Sequence, residues 1–172
     1  MRAVSPSPSP GLVRLHRAEE DVDQVLRERV AALLGVAAHE VRVGRACPRC
    51  GADDHGRPWA RAGSREVPVS LSRCGEHLMT ALAPTGAVGV DLELIAAVAR
   101  GWDEELVLHP RERGRRAPRT DAGRAAVWAR KEAVLKMLGT GLATPMSAVR
   151  LADVDVLDVP APPGHVAALA RG

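Results

Sequence analysis

The sequence has 172 residues, which suits one domain or two small lobes that share a core, and 46% of them are hydrophobic. Its formal net charge of +3 weakly favours anionic partners. The chain has three Trp, no Phe and no Tyr, which argues against a surface that stacks on single-stranded nucleic acid. No segment holds enough uninterrupted apolar residues to span a bilayer, so we expect no membrane partner.

The N-terminal segment is rich in serine and proline and lacks the apolar stretch of a secretory signal. We therefore expect residues 1–11 to form a disordered leader and the protein to be cytoplasmic. Apolar residues at helical spacing then predict a helix over residues 19–34, which Gly35 ends. Residues 45–64 are rich in Gly, Asp, Pro and Cys and are predicted to be a loop. Short strands are predicted at residues 41–44, 67–72, 78–83 and 87–95.

The second half of the sequence begins with a predicted short helix at residues 103–108. Residues 111–124 hold six arginines and few apolar residues, which indicates a mobile basic loop. A long helix follows, with Asp121 as the expected N-cap and with Gly139 and Gly141 at its end. The remaining predicted elements are a strand with a turn and a final short strand, at residues 145–159 and 166–169.

A weak internal similarity links residues 77–83 with residues 164–170, both of which end in Ala-Leu-Ala. Two structurally repeated lobes leave such a trace in a sequence. In a chain this rich in alanine and leucine the match also arises by chance, so both explanations stay open.

Charged residues suited to chemistry occur in two of the predicted elements. Asp91 and Glu93 are two apart in a strand, which places them on one face. Glu132 lies in the long helix together with Lys131 and Lys136, the two lysines of the chain. If these groups meet, they form a site for a hard cation and a phosphate-rich ligand. Each group also has a simpler explanation, namely carboxylates that face water and an ordinary i, i+4 surface pair on a helix.

The order of these motifs resembles that of the 4'-phosphopantetheinyl transferases. Residues 89–93 (Gly-Val-Asp-Leu-Glu) and 128–139 (Trp-Ala-Arg-Lys-Glu-Ala-Val-Leu-Lys-Met-Leu-Gly) carry the resemblance. Residues 56–58 (Gly-Arg-Pro) match the family's Gly-Lys/Arg-Pro motif, and residues 72–74 (Ser-Arg-Cys) fall where the family has Ser-His-Ser. The similarity covers residues 12–170 and is closest to the pseudodimeric type that activates surfactin synthetase and other peptide and polyketide synthases.

The resemblance implies an α+β fold of two similar lobes, residues 12–95 and 96–172. Each lobe would be a helix packed on a small antiparallel sheet, with the active site in the cleft between the lobes. It also implies a monomer that acts on coenzyme A and an apo acyl or peptidyl carrier protein, and no nucleic-acid partner.

The implied activity is Mg²⁺-dependent transfer of 4'-phosphopantetheine from coenzyme A to a carrier-protein serine, with release of 3',5'-ADP. A pyrophosphate repels a nucleophile, so the reaction needs a cation at the phosphates and a base for the serine proton. The family's metal ligands correspond to Asp91, Glu93 and Glu132. Its catalytic groups correspond to Glu132 as the base and Lys136 near the leaving oxygen. Its coenzyme A contacts correspond to Arg57, Ser72, Arg73, Lys131 and Lys136.

Arg73 is the main departure, because the family has histidine at that position. A guanidinium holds phosphate in a bidentate and permanently charged way, so binding can survive with altered pH behaviour. The alternative is a catalytically degenerate homologue that binds coenzyme A without turnover.

A second signal is the C-x-x-C motif formed by Cys47 and Cys50, followed by His55. It could start a zinc site, as in a basic zinc-knuckle module that binds nucleic acid. A second ligand pair at knuckle spacing is missing, and Cys74 with His77 could supply one only if the fold brings them close. We therefore expect free thiols and no stoichiometric zinc.

Overall fold

Within residues 12–47 and 49–172, the part of the chain that the computed structural model describes, nine strands form three antiparallel sheets. The predicted leader, residues 1–11, lies outside the described residues. The strands are β1 (Val13–Arg17), β2 (Val41–Ala46), β3 (Arg57–Ala62), β4 (Arg65–Val67), β5 (Val69–Cys74), β6 (His77–Leu82), β7 (Val88–Leu94), β8 (Asp155–Val159) and β9 (His165–Arg171). The α-helices are α1 (Val22–Leu34), α2 (Ile95–Arg100), α3 (Glu104–Val107) and α4 (Asp121–Leu138).

The sheets have the strand orders β1-β6-β5, β2-β3-β4 and β7-β9-β8. In the first and third sheets the strand that comes last in the sequence lies in the centre. Residues 77–83 and 164–170, which resemble one another in sequence, fall largely on these two central strands, β6 and β9. The prediction of a mixed α+β protein with small antiparallel sheets is therefore confirmed.

The first and third sheets meet where β5 lies beside β7. The backbone N–H of Val90 donates a hydrogen bond to the Ser70 hydroxyl at 3.0 Å. Ser72, two residues after Ser70, points to the same side of β5, and its hydroxyl donates to Oδ1 of Asp91 at 2.8 Å. This contact between sheets brings residues from both halves of the sequence together.

Helix α1 begins after Asp21, whose carboxylate accepts hydrogen bonds from the backbone N–H groups of Asp23 at 2.9 Å and Gln24 at 3.2 Å. It ends at Gly35, whose left-handed φ of 70° few other residues adopt. Leu26 and Val30 are fully buried in its core cluster. The predicted helix is confirmed, with a start at Val22 rather than at residue 19.

Helix α4 carries the residues of the candidate site. Its N-cap is Thr120, whose hydroxyl accepts from the Gly123 N–H at 3.1 Å. Asp121, the predicted cap, is instead the first residue of the helix, so that prediction is wrong. The helix ends at Gly139 as predicted, with a φ of 73°.

Helix α4 packs closely on β7 at Gly89. A Cβ atom at Gly89 would lie 1.9 Å from the carbonyl oxygen of Ala133 and 2.5 Å from the backbone nitrogen of Met137. Only glycine permits this approach of the helix backbone to the strand. Gly89 lies two residues before Asp91 on the same side of β7, so this contact brings α4 close to Asp91.

Three predicted boundaries are wrong. Strand β3 lies inside residues 45–64, which were expected to be a loop. Pro58 near its start is untypical of a strand, although Ala60 in the same strand is buried. The strand expected at 67–72 is divided at Pro68, which has no N–H for the sheet ladder. Residues 111–124, expected to be a mobile basic loop, include most of two 3₁₀ turns, Pro110–Glu112 and Gly114–Arg116, and the start of α4.

The predicted strand with a turn at residues 145–159 contains two further 3₁₀ turns, Met146–Ala148 and Leu151–Asp153, before β8 begins. None of the helices in the described ranges is both long and apolar enough to cross a bilayer.

Candidate active site

Asp91 lies at the centre of the candidate site. It is 2% exposed and sits in the middle of β7, opposite Ala168 of β9. Its Oδ1 accepts hydrogen bonds from the Ser72 hydroxyl at 2.8 Å and from the Lys136 Nζ at 2.6 Å. Lys136 also donates to the carbonyl oxygen of Val90 at 3.2 Å. Three elements, β5, β7 and α4, therefore converge on one carboxylate.

Glu93 and Glu132 complete an acidic cluster with Asp91. Burial, followed by the charge of Asp91, raises the pKa of Glu93 to about 7. Burial and the charge of Asp91 likewise raise the pKa of Glu132, and the Lys136 ammonium opposes both shifts. The mutual effects on pKa indicate that the three carboxylates and Lys136 share one electrostatic environment.

The acidic cluster fits a hard divalent cation. The Oδ2 atom of Asp91 is buried and has no hydrogen-bond partner among the residues that the structure describes. Such an orphaned acceptor is costly to bury unless a ligand satisfies it. Carboxylate oxygens are the ligands that Mg²⁺ prefers. The oxygens of the three carboxylates do not all lie within 4.8 Å of one another, so their side chains would have to move closer to share one cation.

A cavity of about 610 Å³ lies beside the acidic cluster, between β3, β5 and the C-terminal end of α4. Arg57 lines the cavity, and its Nη2 donates to the carbonyl oxygen of Met137 at 3.2 Å. The volume is in the range of small-molecule sites. We call this space the cationic cavity, because four basic residues line it: Arg45, Arg49, Arg57 and Lys136.

Arg45 and Arg49 were not predicted as site residues. Arginines are abundant in this chain, so two more near a loop carry no distinguishing signal in the sequence. Arg45 lies on β2, and its guanidinium contacts Asp23 of α1 at 3.3 Å. The pairing of β2 with β3, in which Arg45 lies opposite Pro58, brings it to the wall that also carries Arg57.

The structure separates Arg73 from Ser72. The two residues are consecutive on β5, so their side chains point to opposite faces. The Ser72 hydroxyl faces Asp91, whereas Arg73 is exposed and donates to the carbonyl oxygen of Ala18. Arg73 therefore does not contact the acidic cluster in this structure.

The structure also separates Lys131 from Glu132. Lys131 is completely buried, and its Nζ donates to the carboxylate of Glu112 at 2.6 Å and to the carbonyl oxygens of Val149 at 2.5 Å and Met146 at 3.2 Å. Adjacent residues of a helix point about 100° apart, which accounts for the separation. This placement does not fit the predicted phosphate contact for Lys131 and indicates a structural ion pair.

The sequence did contain a signal for this burial. The residues three and four positions before and after Lys131 share its face of the helix. All four are apolar: Val127, Trp128, Val134 and Leu135. A lysine in the middle of such a face needs an internal partner, and that partner, Glu112, cannot be identified from spacing alone.

We expect Lys131→Met to reduce stability rather than binding of coenzyme A. Removing one member of a buried ion pair costs about 3–5 kcal/mol, and the lower end applies here because the Glu112 side chain is 19% exposed. Chemical denaturation measures this loss. If coenzyme A is the substrate, as the resemblance implies, its KM in the folded variant should stay within about twofold of its value in the unchanged protein, because Lys131 does not line the cationic cavity. A tenfold rise in this KM with unchanged stability would instead support the predicted phosphate contact of Lys131.

A separate cluster lies in the β2–β3 connection. The ligand atoms of Cys47, Cys50 and His55 all lie within 4.8 Å of one another. Backbone N–H groups of Cys50 and Arg49 hold the pKa of the Cys47 thiol down at about 7. The hydrogen bond to Asp54 raises the pKa of His55.

The fold does not bring the other suggested ligands, Cys74 and His77, to this cluster. Cys74 ends β5, where burial and then the charge of Glu93 raise the pKa of its thiol. The His77 ring packs edge-on against His165, with 5.1 Å between the ring centroids. A four-ligand knuckle that uses Cys74 and His77 is therefore excluded by their position.

Comparison with known proteins gives one match to a protein family. No curated protein matches the chain. One family model matches residues 87–169, just under half of the sequence, and this segment contains Asp91, Glu93, Glu132 and Lys136. The matching model describes the 4'-phosphopantetheinyl transferase superfamily.

Proposed function

We propose that this protein is a transferase that moves 4'-phosphopantetheine from coenzyme A to a serine of an acyl or peptidyl carrier protein and releases 3',5'-ADP. The observation that carries the proposal is the position of Lys136, which contacts Asp91 at 2.6 Å and also lines the cationic cavity. A single ammonium group thus joins the acidic cluster to a space lined by arginines. This arrangement suits a pyrophosphate held between a cation and several basic groups.

Asp91, Glu93 and Glu132 would hold Mg²⁺, which when bound screens the pyrophosphate charge and stabilises the leaving oxygens. Ser72 holds Asp91 in place through its hydroxyl. Lys136 stabilises the negative charge that develops on the leaving phosphate. Glu132 accepts the serine proton, directly or through a water molecule, as the resemblance to the family implies.

Arg57 binds the phosphates of coenzyme A together with Arg45 and Arg49. All three line the cationic cavity, and bidentate guanidinium groups suit phosphate oxygens. Arg73 stays a predicted contact for coenzyme A, and the affinity of Arg73→Ala for coenzyme A tests it.

We also propose that the chain is a pseudodimer of two lobes of the type that activates surfactin synthetase. The shared strand order of the first and third sheets supports such a repeat. Because β7 is hydrogen-bonded to β9, we place the start of the second lobe at β7 rather than at residue 96, and the cleft is then the junction of β5 with β7. We propose a monomer located in the cytoplasm, and gel filtration with light scattering tests the first of these points.

The decisive experiment is incubation of the purified protein with coenzyme A, Mg²⁺ and an apo carrier protein, followed by intact-mass measurement. The proposal expects the carrier to gain the mass of one phosphopantetheine group. A carrier with its acceptor serine replaced by alanine is the control and should gain nothing. Binding of coenzyme A without any gain in mass on several apo carriers would identify a catalytically degenerate homologue instead.

The acidic cluster makes thermal stability depend on both pH and Mg²⁺. The pKa of Glu93 in the folded protein, about 7, lies above its ordinary value of 4.5. The metal-free protein therefore loses stability as the pH rises from about 4.5 to about 7, because ionising Glu93 costs more in the folded than in the unfolded state. We expect Mg²⁺ to raise the melting temperature more at about pH 8 than at about pH 5.5, where the proton occupies the ligand.

Differential scanning fluorimetry across this pH range measures the effect, and Glu93→Gln is the matched variant. Glutamine cannot ionise, so its metal-free melting temperature should lack the decline assigned to Glu93. An identical pH profile for both proteins would contradict the assignment of Glu93 to the cluster.

A further inference from the structure

The loop between β2 and β3 holds a second set of metal-ligating side chains, distinct from the acidic cluster. Sγ of Cys50 lies 3.3 Å from Nε2 of His55, and Cys47 completes a set whose ligand atoms are all within 4.8 Å of one another. Two sulfurs and one imidazole nitrogen are the donor types that Zn²⁺ prefers.

These distances fit tetrahedral coordination. With Zn–S and Zn–N bonds of about 2.3 and 2.05 Å, a tetrahedral angle places a ligating sulfur about 3.6 Å from a ligating nitrogen and about 3.8 Å from a second sulfur. The observed 3.3 Å between Cys50 and His55 is within a few tenths of an ångström of the first value. The other two distances are at most 4.8 Å, so side-chain movements of up to about 1 Å bring all three ligand atoms to tetrahedral spacings.

The backbone of the loop holds the three ligands close. The N–H of Cys47 donates to the carbonyl oxygen of Ala52 at 2.9 Å, and the N–H of Gly51 donates back to the Cys47 carbonyl at 2.9 Å. Gly56 has a φ of +97°, and a Cβ there would lie 2.5 Å from the carbonyl oxygen of Ala46. This glycine closes the loop and returns His55 to the cysteines.

The fourth neighbour of the cluster orients the histidine. Oδ1 of Asp54 lies 2.6 Å from Nδ1 of His55. A carboxylate that accepts from Nδ1–H fixes the tautomer of the neutral ring in which Nε2 is free to bind a metal, which is the usual outer-shell arrangement of zinc-binding histidines. Asp54 thus has a defined role without being a ligand.

We propose that Cys47, Cys50 and His55 bind one Zn²⁺, with Asp54 positioning His55 and solvent in the fourth coordination position. Three protein ligands and one exchangeable position make a recognised type of zinc site. The expectation of free thiols and no zinc rested on the lack of a second ligand pair. The proposal departs from the zinc part of that expectation because the turn at Gly56 brings His55 to the two thiols, so that no second ligand pair is needed.

The site adjoins the cationic cavity, because Cys47, Arg49 and Gly56 also line that cavity. Closing the loop around a metal would fix the wall that carries Arg49 and Arg57. If the proposed transferase function is correct, zinc thereby preorganises part of the phosphate-binding surface. The zinc site itself does not depend on that function.

The test begins with metal content. Protein purified without an affinity tag that binds metals and without chelator, from medium containing zinc, should hold one Zn²⁺ per chain by elemental analysis. The variants Cys50→Ser and His55→Ala should lose most of the zinc. Cys74→Ser is the matched control, since it removes a thiol outside the cluster, and should retain it. Far-UV circular dichroism establishes that each variant is folded.

Cobalt substitution provides a readout that is independent of activity. Co²⁺ in the unchanged protein should give sulfur-to-cobalt charge-transfer bands and the intense d–d bands of tetrahedral coordination, and Cys50→Ser should weaken both. Asp54→Asn should lower zinc affinity by about 10–100-fold while leaving the tetrahedral spectrum. Substoichiometric zinc in the unchanged protein, zinc content equal in Cys50→Ser, or a Cys47–Cys50 disulfide under reducing conditions would each overturn the proposal. None of these measurements uses the transfer reaction, so the failure of one proposal is distinguishable from the failure of the other.

Discussion

Replacing Asp91 with asparagine is expected to abolish phosphopantetheine transfer while the protein stays folded. Asparagine keeps the shape of the side chain and can still accept the hydrogen bond from Ser72, but it removes the charge that pairs with Lys136 and faces the metal site. A bound cation supplies several kcal/mol of transition-state stabilisation, so kcat should fall by about 1,000-fold or more.

The stability of Asp91→Asn should change much less than its activity. The variant loses an ion pair but also relieves the repulsion that raises the pKa of Glu93 and Glu132. Asp158→Asn is the matched control, because it removes an exposed carboxylate of the same sheet, two strands from Asp91, that pairs with Arg130 rather than with Lys136. NMR titration of Glu93 should give a lower pKa in Asp91→Asn and an unchanged one in the control. Near-normal transfer by Asp91→Asn would end the assignment of the acidic cluster as the active site.

Gly89→Ala is expected to be among the most destabilising single substitutions in the protein. The new Cβ would lie 1.9 Å from the Ala133 carbonyl oxygen and 2.5 Å from the Met137 nitrogen, both of which are backbone atoms of α4. Because neither atom belongs to a flexible side chain, the whole helix must move away from β7. Overpacking of a core costs about 1–3 kcal/mol and sometimes more, and we expect a loss of about 3 kcal/mol or more in the free energy of unfolding.

The same movement carries Glu132 and Lys136 away from Asp91, so transfer should fall even in the fraction that is folded. Gly101→Ala is the control. A Cβ at Gly101 meets nothing within 4 Å and its φ is −106°, so its free energy of unfolding should change by less than about 0.5 kcal/mol. Urea denaturation of the two variants compares them directly. Equal stability of both would show that the approach of α4 to β7 is not a structural requirement.

Local chemistry made the C-terminal ends of the two main helices predictable from the sequence. Gly35 and Gly139 end α1 and α4 in left-handed conformations that follow from the residue type alone. The shared side of Asp91 and Glu93 likewise follows from the alternation of a strand. Such features depend only on neighbours within a few residues, and these neighbours can be seen directly in the sequence.

Features that depend on distant partners were not predictable in the same way. The ion pair of Lys131 with Glu112 and the wall of arginines around the cationic cavity come from the packing of elements far apart in the sequence. The N-cap was misplaced by one residue because Thr120 and Asp121 are both good capping residues. Spacing rules identify which residues share a face, but tertiary packing decides what that face meets.

The central position of β9 has a consequence for the order of events during synthesis. Within the third sheet, β7 and β8 each form their hydrogen-bonded ladder with β9 and not with one another. On the ribosome, β7 with Asp91 and α4 with Glu132 emerge well before residues 165–171. The nascent chain therefore exposes two unpaired strand edges until β9 is made, and the acidic cluster can be held rigidly only after this last strand enters between them.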